Sequence, residues 1–313
     1  MNLRKLFLLT FVSGIVLADQ CFDTSNEDKI FINSIINKMT VEDKVGQIVQ
    51  GDLDFVTPRD LERYRLGSVL NGGNTSPNKN QYASADEWKE LSKAFYEASP
   101  SVGGVKIPFI WGTDAVHGHN NLIGATIFPH NIGLGATRNP ELMKQIGSAV
   151  ALEVLSTGVV WTFAPALSVP RNDRWGRTYE GFAEEPELVG QLGSAFVKGL
   201  QGEGDEFLDE NHILATSKHF AGDGGTFDGI DQGDVRLSKE EFYSLHVSPY
   251  TPAIDACTQT IMSSFNSFQG KKLHGDKSLL TDLLKNEMGF DGFIVGDWNG
   301  HGQVKGCSNE SCP

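Results

Sequence analysis

Short apolar runs alternate with amphipathic stretches along almost the whole chain. Apolar residues recur at helical spacing in 28–39, 85–98, 141–156, 186–200, 239–246, 252–256 and 276–288. Between and beside these stretches lie seven short runs suited to buried strands, at 45–49, 67–70, 108–112, 159–164, 213–216, 261–264 and 293–295. Strands that alternate with helices predict a parallel sheet in an α/β fold. At 313 residues the pattern favours a (β/α)8 barrel of the TIM type, which needs about 250 residues.

The same pattern predicts that this barrel is incomplete at its C-terminus. A barrel of this type has eight strands, and an eighth strand would have to follow residue 313. The sequence ends on Cys312-Pro313 within a polar stretch. We therefore expect residues 19–313 to form a barrel domain that lacks its last β/α unit and has two open strand edges.

The first 18 residues have the pattern of a secretory signal peptide. Arg4 and Lys5 precede an apolar run over 6–17, and Val16-Leu17-Ala18 is a plausible cleavage site. The run is short for a membrane span, although an uncleaved anchor stays the alternative. We expect a secreted or periplasmic protein that makes no membrane contact once the signal is removed.

Charge and cysteine content narrow the class of partner. The formal net charge is −14 at pH 7, which argues against nucleic acid and suits a neutral ligand. Four cysteines in an exported chain permit disulfides, and Cys307 and Cys312 are close enough in sequence to close a small loop. Their spacing matches no zinc site, and no glycine-rich phosphate motif follows a predicted strand. We therefore predict neither a metal nor a cofactor. Oligomeric state is not predicted.

Polar residues cluster directly after four of the predicted strands. In β/α barrels the C-terminal ends of the strands line the active site. The clusters include Asp114, Arg174, Arg177, Lys218, His219, Asp297 and Trp298. Charged side chains can grip hydroxyl groups, and an indole can stack on the apolar face of a sugar ring, so this set predicts a carbohydrate pocket.

Four motifs in these clusters resemble the N-terminal barrel of glycoside hydrolase family 3. They are Gly-Thr-Asp-Ala-Val-His-Gly-His at 112–119, Arg-Trp-Gly-Arg at 174–177, Lys-His-Phe-Ala-Gly-Asp-Gly-Gly at 218–225 and Gly-Asp-Trp at 296–298. The resemblance covers about residues 28–313 and is strongest to β-glucosidases and exo-1,3/1,4-β-glucanases. It implies hydrolysis of terminal non-reducing β-D-glucosyl residues of β-glucans or β-glucosides, with retention of configuration.

The resemblance also implies residue roles. Asp297 would be the nucleophile that forms a glycosyl-enzyme. Asp114, Arg177, Lys218 and His219 would hold the hydroxyls of the terminal glucose. Trp298 would stack in the neighbouring subsite, and Met262 lies on the strand that approaches the nucleophile. Relatives often carry Tyr where this chain has Phe265, and some carry Glu at the position of Gln232.

The acid/base of this branch is a glutamate on a second domain, an α/β sandwich after the barrel, which this chain does not reach. The N-acetylglucosaminidase branch instead has a His-Asp pair on a barrel loop and a proline after Lys-His-Phe. Here Ala221 follows Phe220, which argues against that branch. We expect the chain alone to hydrolyse unactivated glucosides poorly, since general acid catalysis is typically worth about 10²–10⁴-fold.

Two other functions stay open. The chain could be a sugar-binding remnant with an intact pocket and no catalysis. It could also be a zinc-dependent barrel hydrolase, since His117 and His119 form an H-x-H motif that Lys218, His219 and Asp297 could complete. We favour a loop-structuring role for the two histidines because they trail Asp114. Arg174 is an alternative to Arg177 as the ligand contact, and Trp175 is expected to pack.

Overall fold

The computed structural model describes residues 25–73 and 75–304. The predicted signal peptide at 1–18 and the Cys307–Cys312 loop lie outside the described residues. Within these two ranges, no helix has the length and apolar character needed to cross a membrane.

Parallel strands that follow one another in chain order form the centre of the fold. In the described part of the chain they number seven: β1 (Gln50–Asp52), β2 (Ser68–Asn71), β3 (Ile110–Thr113), β4 (Trp161–Thr162), β5 (Thr216–Phe220), β6 (Thr260–Ser263) and β7 (Phe293–Val295). Strands β1 to β4 pair in sequence, as do β5 to β7. Parallel bridges from Trp161 to Leu214 and from Ala166 to Lys218 connect the two groups. This is the strand order of a β/α barrel, and β1 and β7 are not paired with each other within the described residues.

Helices separate most of the strands. They are α1 (Asn26–Ile36), α2 (Val41–Gln47), α3 (Pro58–Tyr64), α4 (Ala85–Glu97), α5 (Asn131–Gly135), α6 (Pro140–Leu155), α7 (Pro186–Gln201), α8 (Lys239–Phe242) and α9 (Tyr250–Asp255). Ser278–Glu287, predicted as part of a helix, is π-helical, as is Tyr243–Val247. Short antiparallel pairs join Ser101–Val102 to Val105–Lys106 and Ser267–Phe268 to Lys271–Lys272. Asp234–Val235 pairs in parallel with Ser267–Phe268.

Two of the predicted strands are misplaced. The run at 45–49 was predicted as a strand, but α2 ends at Gln47 and β1 begins only at Gln50. The reason is the capping box of Thr40 and Asp43, which starts α2 at Val41, so that Val45 lies in a helix. The predicted strand at 213–216 is β5, which runs over 216–220, so Lys218 and His219 lie within the strand. Buried hydroxyls of neighbouring strands, such as that of Thr260 beside Thr216, make a polar strand tolerable there.

An aromatic cluster closes the interior of the barrel below the C-terminal ends of the strands. Trp161, Phe163 and Met262 pack together there and are buried. The indole N–H of Trp161 donates to the hydroxyls of Thr216 and Thr260 at 2.7 and 3.2 Å. The polar edge of the indole is thereby satisfied, and the cluster forms an apolar floor beneath the polar strand ends.

Helices α6 and α7 pack closely because glycines face each other where they meet. A Cβ atom built on Gly199 would lie 2.1 Å from the carbonyl oxygen of Lys144 and 3.0 Å from the Cα atom of Gly147. Such distances are far below normal contact, so both glycines are required for this approach of the two backbones.

We expect Gly199→Ala to lower the free energy of unfolding by about 1–3 kcal/mol, because the added methyl group overpacks the contact. Helix propensity alone would change it by about 1 kcal/mol in the opposite direction. Urea unfolding of the chain measures the difference, and Ser194→Ala on the same helix is the control. A Gly199→Ala variant as stable as the parent would show that the helices can separate at no cost.

Candidate active site

Lys218 and Asp114 form an ion pair between strands that are not neighbours in the sheet. The Lys218 ammonium, on β5, lies 2.8 Å from Asp114 Oδ1, which follows β3. Lys218 is only 4% exposed, and a buried ammonium requires an anionic partner. Asp114 is about half-buried and stays accessible from the open side. The pair therefore ties together the ends of β3 and β5 across β4.

Arg177 contacts Glu180 and His219. Its guanidinium donates to both Glu180 oxygens, at 2.7 and 2.9 Å, and its Nη2 lies 3.0 Å from His219 Nε2. Burial alone would lower the pKa of Arg177, but the hydrogen bonds and charge of Glu180, with smaller contributions from Asp223 and Asp297, raise it well above its ordinary value. Arg177 is therefore a fixed positive charge.

His219 has only one tautomer that fits its contacts. A guanidinium can only donate, so His219 Nε2 must accept from Arg177. The proton then lies on Nδ1, which donates to Asp223 Oδ2 at 2.7 Å. The assignment follows from the hydrogen-bond network. His219 is thus a neutral link between a cation and an anion.

Asp223 and Glu180 are held as carboxylates. Asp223 also accepts from the Ser168 hydroxyl at 2.5 Å and from the Gly224 N–H at 3.0 Å. Burial by itself raises the pKa of Asp223, but the hydrogen bonds from His219 and Ser168 and the nearby charge of Arg177 outweigh it, so that pKa is below its ordinary value. The pKa of Glu180 is likewise raised by burial and lowered more strongly by Arg177.

Asp297 has a carboxylate oxygen that no donor satisfies. Asp297 follows β7, and its Oδ1 accepts from the N–H of Trp298 at 2.7 Å. Its Oδ2 is buried and has no hydrogen-bond partner among the described residues. The charge of Asp297 contributes to the raised pKa of Arg177, so it faces the same cluster. A buried, unpaired carboxylate oxygen is available for attack on an electrophile.

Trp298 and Met262 occupy the upper and lower parts of this region. Trp298 is 56% exposed, and its ring lies against Gly72, where a Cβ atom would be 2.9 Å from indole Cζ3. Met262 is buried in the apolar floor, paired in register with Val295 of β7. The exposed indole is free to stack on a ligand, and Met262 packs directly beside the strand that carries Asp297.

The two histidines of the H-x-H motif make separate contacts. His117 Nδ1 lies 2.8 Å from the carbonyl oxygen of Phe128, and the His117 ring packs against that of His130. His119 is fully buried, with Nε2 3.1 Å from the Thr157 hydroxyl, and burial lowers its pKa to about 4. In the described ranges no three His, Cys, Asp or Glu side chains are grouped so that they could hold a metal ion.

Their surroundings separate Arg174 from Arg177 and show how Trp175 packs. Arg174 is exposed to solvent, whereas Arg177 lies within the charge cluster. The Trp175 indole is buried and donates to Asp231 at 3.0 Å. Sequence reasoning gave no role to Glu180 or Asp223. Their spacing could have identified both as partners of predicted site residues, since Glu180 lies three residues after Arg177 and Asp223 four residues after His219.

Comparison with known proteins agrees with this architecture. Residues 40–313 match the family model described as the glycosyl hydrolase family 3 N terminal domain. The chain belongs to glycosyl hydrolase family 3. The resemblance inferred from the motifs and the α/β barrel fold are therefore confirmed.

Relatives of known activity support the same assignment. A periplasmic β-glucosidase of Salmonella typhimurium is 30% identical over 277 residues, which are 88% of this chain and 34% of that protein. The lysosomal β-glucosidase of Dictyostelium discoideum is 30% identical over 290 residues, 86% of this chain and 35% of that protein. The chain thus spans about a third of the length of these relatives.

Solved structures resemble the fold closely. The exo-1,3/1,4-β-glucanase ExoP of a Pseudoalteromonas species superposes with a TM-score of 0.88 at 47% identity, over 91% of this chain and 36% of that one. A β-glucosidase of Listeria innocua in complex with glucose gives a TM-score of 0.74 at 27% identity, over 87% of this chain and 38% of that one.

We expect His119 to make stability depend on pH. Its folded-state pKa of about 4 lies below the unfolded value, so the unfolded chain binds more protons between these values. Stability is therefore lost as pH falls from about 6.5 to about 4, by about 3 kcal/mol. His246, also buried with a pKa of about 4, adds a similar loss. In His119→Phe the loss over this pH range should be smaller than in the parent chain by about 3 kcal/mol.

Urea unfolding at several pH values between 7 and 4 tests this expectation. His301→Gln, at an exposed position, should keep the dependence of the parent chain. An unchanged dependence in His119→Phe would contradict the buried, neutral state of His119.

Proposed function

We propose that this chain carries the nucleophile and the glucose-binding clamp of a secreted or periplasmic, retaining β-glucosidase or exo-β-glucanase. Its substrates are terminal non-reducing β-D-glucosyl residues of β-glucans or β-glucosides. The observation that carries the proposal is the buried, unpartnered Oδ2 of Asp297 beside a cluster of fixed charges. The names of the relatives, β-glucosidase and exo-1,3/1,4-β-glucanase, and the periplasmic location in one of those names support it.

In the proposed first step, Asp297 Oδ2 attacks the anomeric carbon of the bound glucosyl residue. A C–O bond forms to the carboxylate as the bond to the leaving-group oxygen breaks, which gives a covalent glycosyl-enzyme. Water then attacks the same carbon from the vacated side, its proton passes to the acid/base, and the C–O bond to Asp297 breaks, which releases glucose and the carboxylate. Each of the two steps inverts the configuration at the anomeric carbon, so the reaction as a whole retains it. The N–H of Trp298 holds Oδ1, so that Oδ2 is the attacking oxygen.

The proposed acid/base comes from a second domain, as a glutamate. The leaving-group oxygen must be protonated, so the acid needs a pKa near the working pH. Glu180 and Asp223 do not meet this requirement, because their partners lower the pKa values of both. Asp114 is bound to the ammonium of Lys218. In a retaining site the acid/base lies about 5–5.5 Å from the nucleophile.

The proposed clamp uses charges that are already in place before the sugar binds. Asp114 offers acceptor oxygens, Lys218 and Arg177 offer N–H donors, and His219 holds Arg177 in position. Because these groups hold each other in place, their side chains lose little conformational entropy when the sugar binds. Trp298 is exposed and is proposed to stack on the next sugar residue.

We expect a covalent adduct after incubation with a 2-deoxy-2-fluoro-β-glucoside that has a dinitrophenyl leaving group. This leaving group departs without protonation, so labelling needs only the nucleophile and the clamp. Intact-mass analysis and peptide mapping should place one glycosyl group on Asp297, and Asp297→Ala should not be labelled. Asp291→Asn, at the opposite end of the same strand, is the matched control. A folded chain that binds glucose but forms no adduct would instead favour the sugar-binding remnant.

We expect Asp114→Asn to weaken glucose binding by about 10- to 100-fold. The amide keeps the shape of the side chain but loses its charge, and hydrogen bonds to charged groups are worth about 1.5–3 kcal/mol. Titration calorimetry with glucose measures the change. Asp86→Asn, on the solvent face of α4, should bind like the parent chain. Equal affinities in both variants would remove Asp114 from the clamp.

A further inference from the structure

His274 contacts the backbone of the nucleophile, although nothing in the sequence motifs pointed to it. It lies in the short helical turn Leu273–Gly275, between β6 and β7. The N–H of Asp297 donates to His274 Nε2 at 3.0 Å. This contact is the link between the turn at 273–275 and the carboxylate that we propose as the nucleophile.

The hydrogen bonds of His274 define its tautomer. Nε2 accepts a hydrogen bond from the Asp297 amide, so it carries no proton of its own. In the neutral ring the proton is then on Nδ1. The ring also packs against that of Phe265, which follows β6, with 5.9 Å between the ring centroids. His274 in this state connects the end of β6 to the end of β7.

Glycines after β7 allow the ring to come this close. A Cβ atom at Gly300 would lie 2.2 Å from His274 Nε2, and one at Gly296 would touch the ring edge at 3.6 Å. The Gly300 N–H donates to the Asp297 carbonyl at 2.8 Å, which closes a turn around the imidazole. The backbone on both sides of Asp297 is thus packed on His274.

The same turn determines which carboxylate oxygen is free. The Trp298 N–H holds Oδ1, and Oδ2 has no partner among the described residues. The direction of Oδ2 depends on the orientation of the Asp297–Trp298 peptide, and the amide on the other side of Asp297 is fixed by His274. Nucleophilic attack is sensitive to such placement, since an error of about 1 Å can cost about 100-fold in rate.

We propose that His274 is a positioning residue for Asp297: as a neutral imidazole it accepts the Asp297 amide hydrogen and thereby directs Oδ2 toward the anomeric carbon. This inference rests on the proposed function of Asp297. Protonation at Nε2 would replace the acceptor with a second donor and break the contact.

The surroundings of His274 keep it neutral. Burial lowers its pKa, and the nearby charge of Asp297 and the backbone of Ser264 act in the opposite direction. His301 and Lys272, the other charged or titratable groups that face the ring, lower the pKa further. His274 is therefore protonated only at a pH below the range in which histidine ordinarily titrates.

The test measures the rate constant of Asp297 labelling by the fluoroglucoside as a function of pH. His274→Phe keeps a ring of similar size but offers no acceptor, and we expect its limiting rate to fall by about 10- to 100-fold. Glucose affinity should change by less than about twofold, since His274 touches no clamp residue. His274→Gln places an amide oxygen near the position of Nε2 and should recover most of the rate. The acid-side decline of the parent chain should also shift to lower pH in this variant, because protonation of the imidazole no longer contributes to it.

His301→Gln is the matched control for the limiting rate, because it changes a nearby exposed histidine that makes no hydrogen bond with Asp297 among the described residues. Histidine ¹⁵N spectra give a second readout that needs no catalysis, and the signal lost in His274→Gln should show the neutral Nδ1–H tautomer. If His274→Phe does not fold, the ¹⁵N spectra and the pH profile of His274→Gln still test the positioning role of His274.

Equal labelling rates in the parent chain and His274→Phe, or an Nε2–H tautomer, would overturn the positioning role alone. A pH profile of His274→Gln that declines over the same pH range as that of the parent chain would do the same. A folded parent chain that is not labelled at all would overturn the proposed function, and this inference with it.

Discussion

The burial of a lysine inside a strand is the constraint on which the rest of the site depends. Lys218 cannot leave its charge in solvent, so Asp114 must supply an anion from the end of β3. Arg177 pairs with Glu180 in the same cluster, and Asp223 accepts a hydrogen bond from the neutral His219. Each of these carboxylates has a partner that holds it. Asp297 differs, because one of its oxygens is left without a donor among the described residues. We therefore attribute the proposed reactivity of Asp297 to this one unpaired oxygen.

The location of the site followed from the sequence because parallel strands bring their carboxyl ends together. Asp114, Lys218 and Asp297 are far apart in the chain, and only the strand order makes them neighbours. The motifs left Arg174 and Arg177 as alternatives, and the structure separates them, since Arg174 is exposed and Arg177 contacts His219. The partners that fix the protonation states could not be read in the same way. Glu180 and Asp223 stand in acidic, glycine-rich loops, where a carboxylate next to a turn most often caps the backbone.

Element boundaries failed where local and tertiary signals disagreed. The segment Val-Gly-Gln-Ile-Val at 45–49 fits either a helix or a strand, and the capping box at Thr40 decides for α2. In β5 the apolar residues mark the approach to the strand, while the paired segment itself is polar. Apolarity could not identify it, since its hydroxyls and charges are satisfied by β4, β6 and β3 only after the sheet has formed. The sequence could not indicate the proposed role of His274 for a similar reason, because that role depends on a hydrogen bond from the backbone amide of Asp297.

Trp298 lies where the two ends of the strand order approach each other. It follows β7, yet its ring packs on Gly72, which follows β2, the neighbour of the edge strand β1. The indole therefore reaches across the seam between the first and last strands. A ligand that stacks on Trp298 would favour one separation of those two ends over others. By reciprocity, whatever sets that separation changes the affinity for the ligand by the same free energy. Closure of the sheet and occupation of the outer subsite are in this sense one coupled equilibrium.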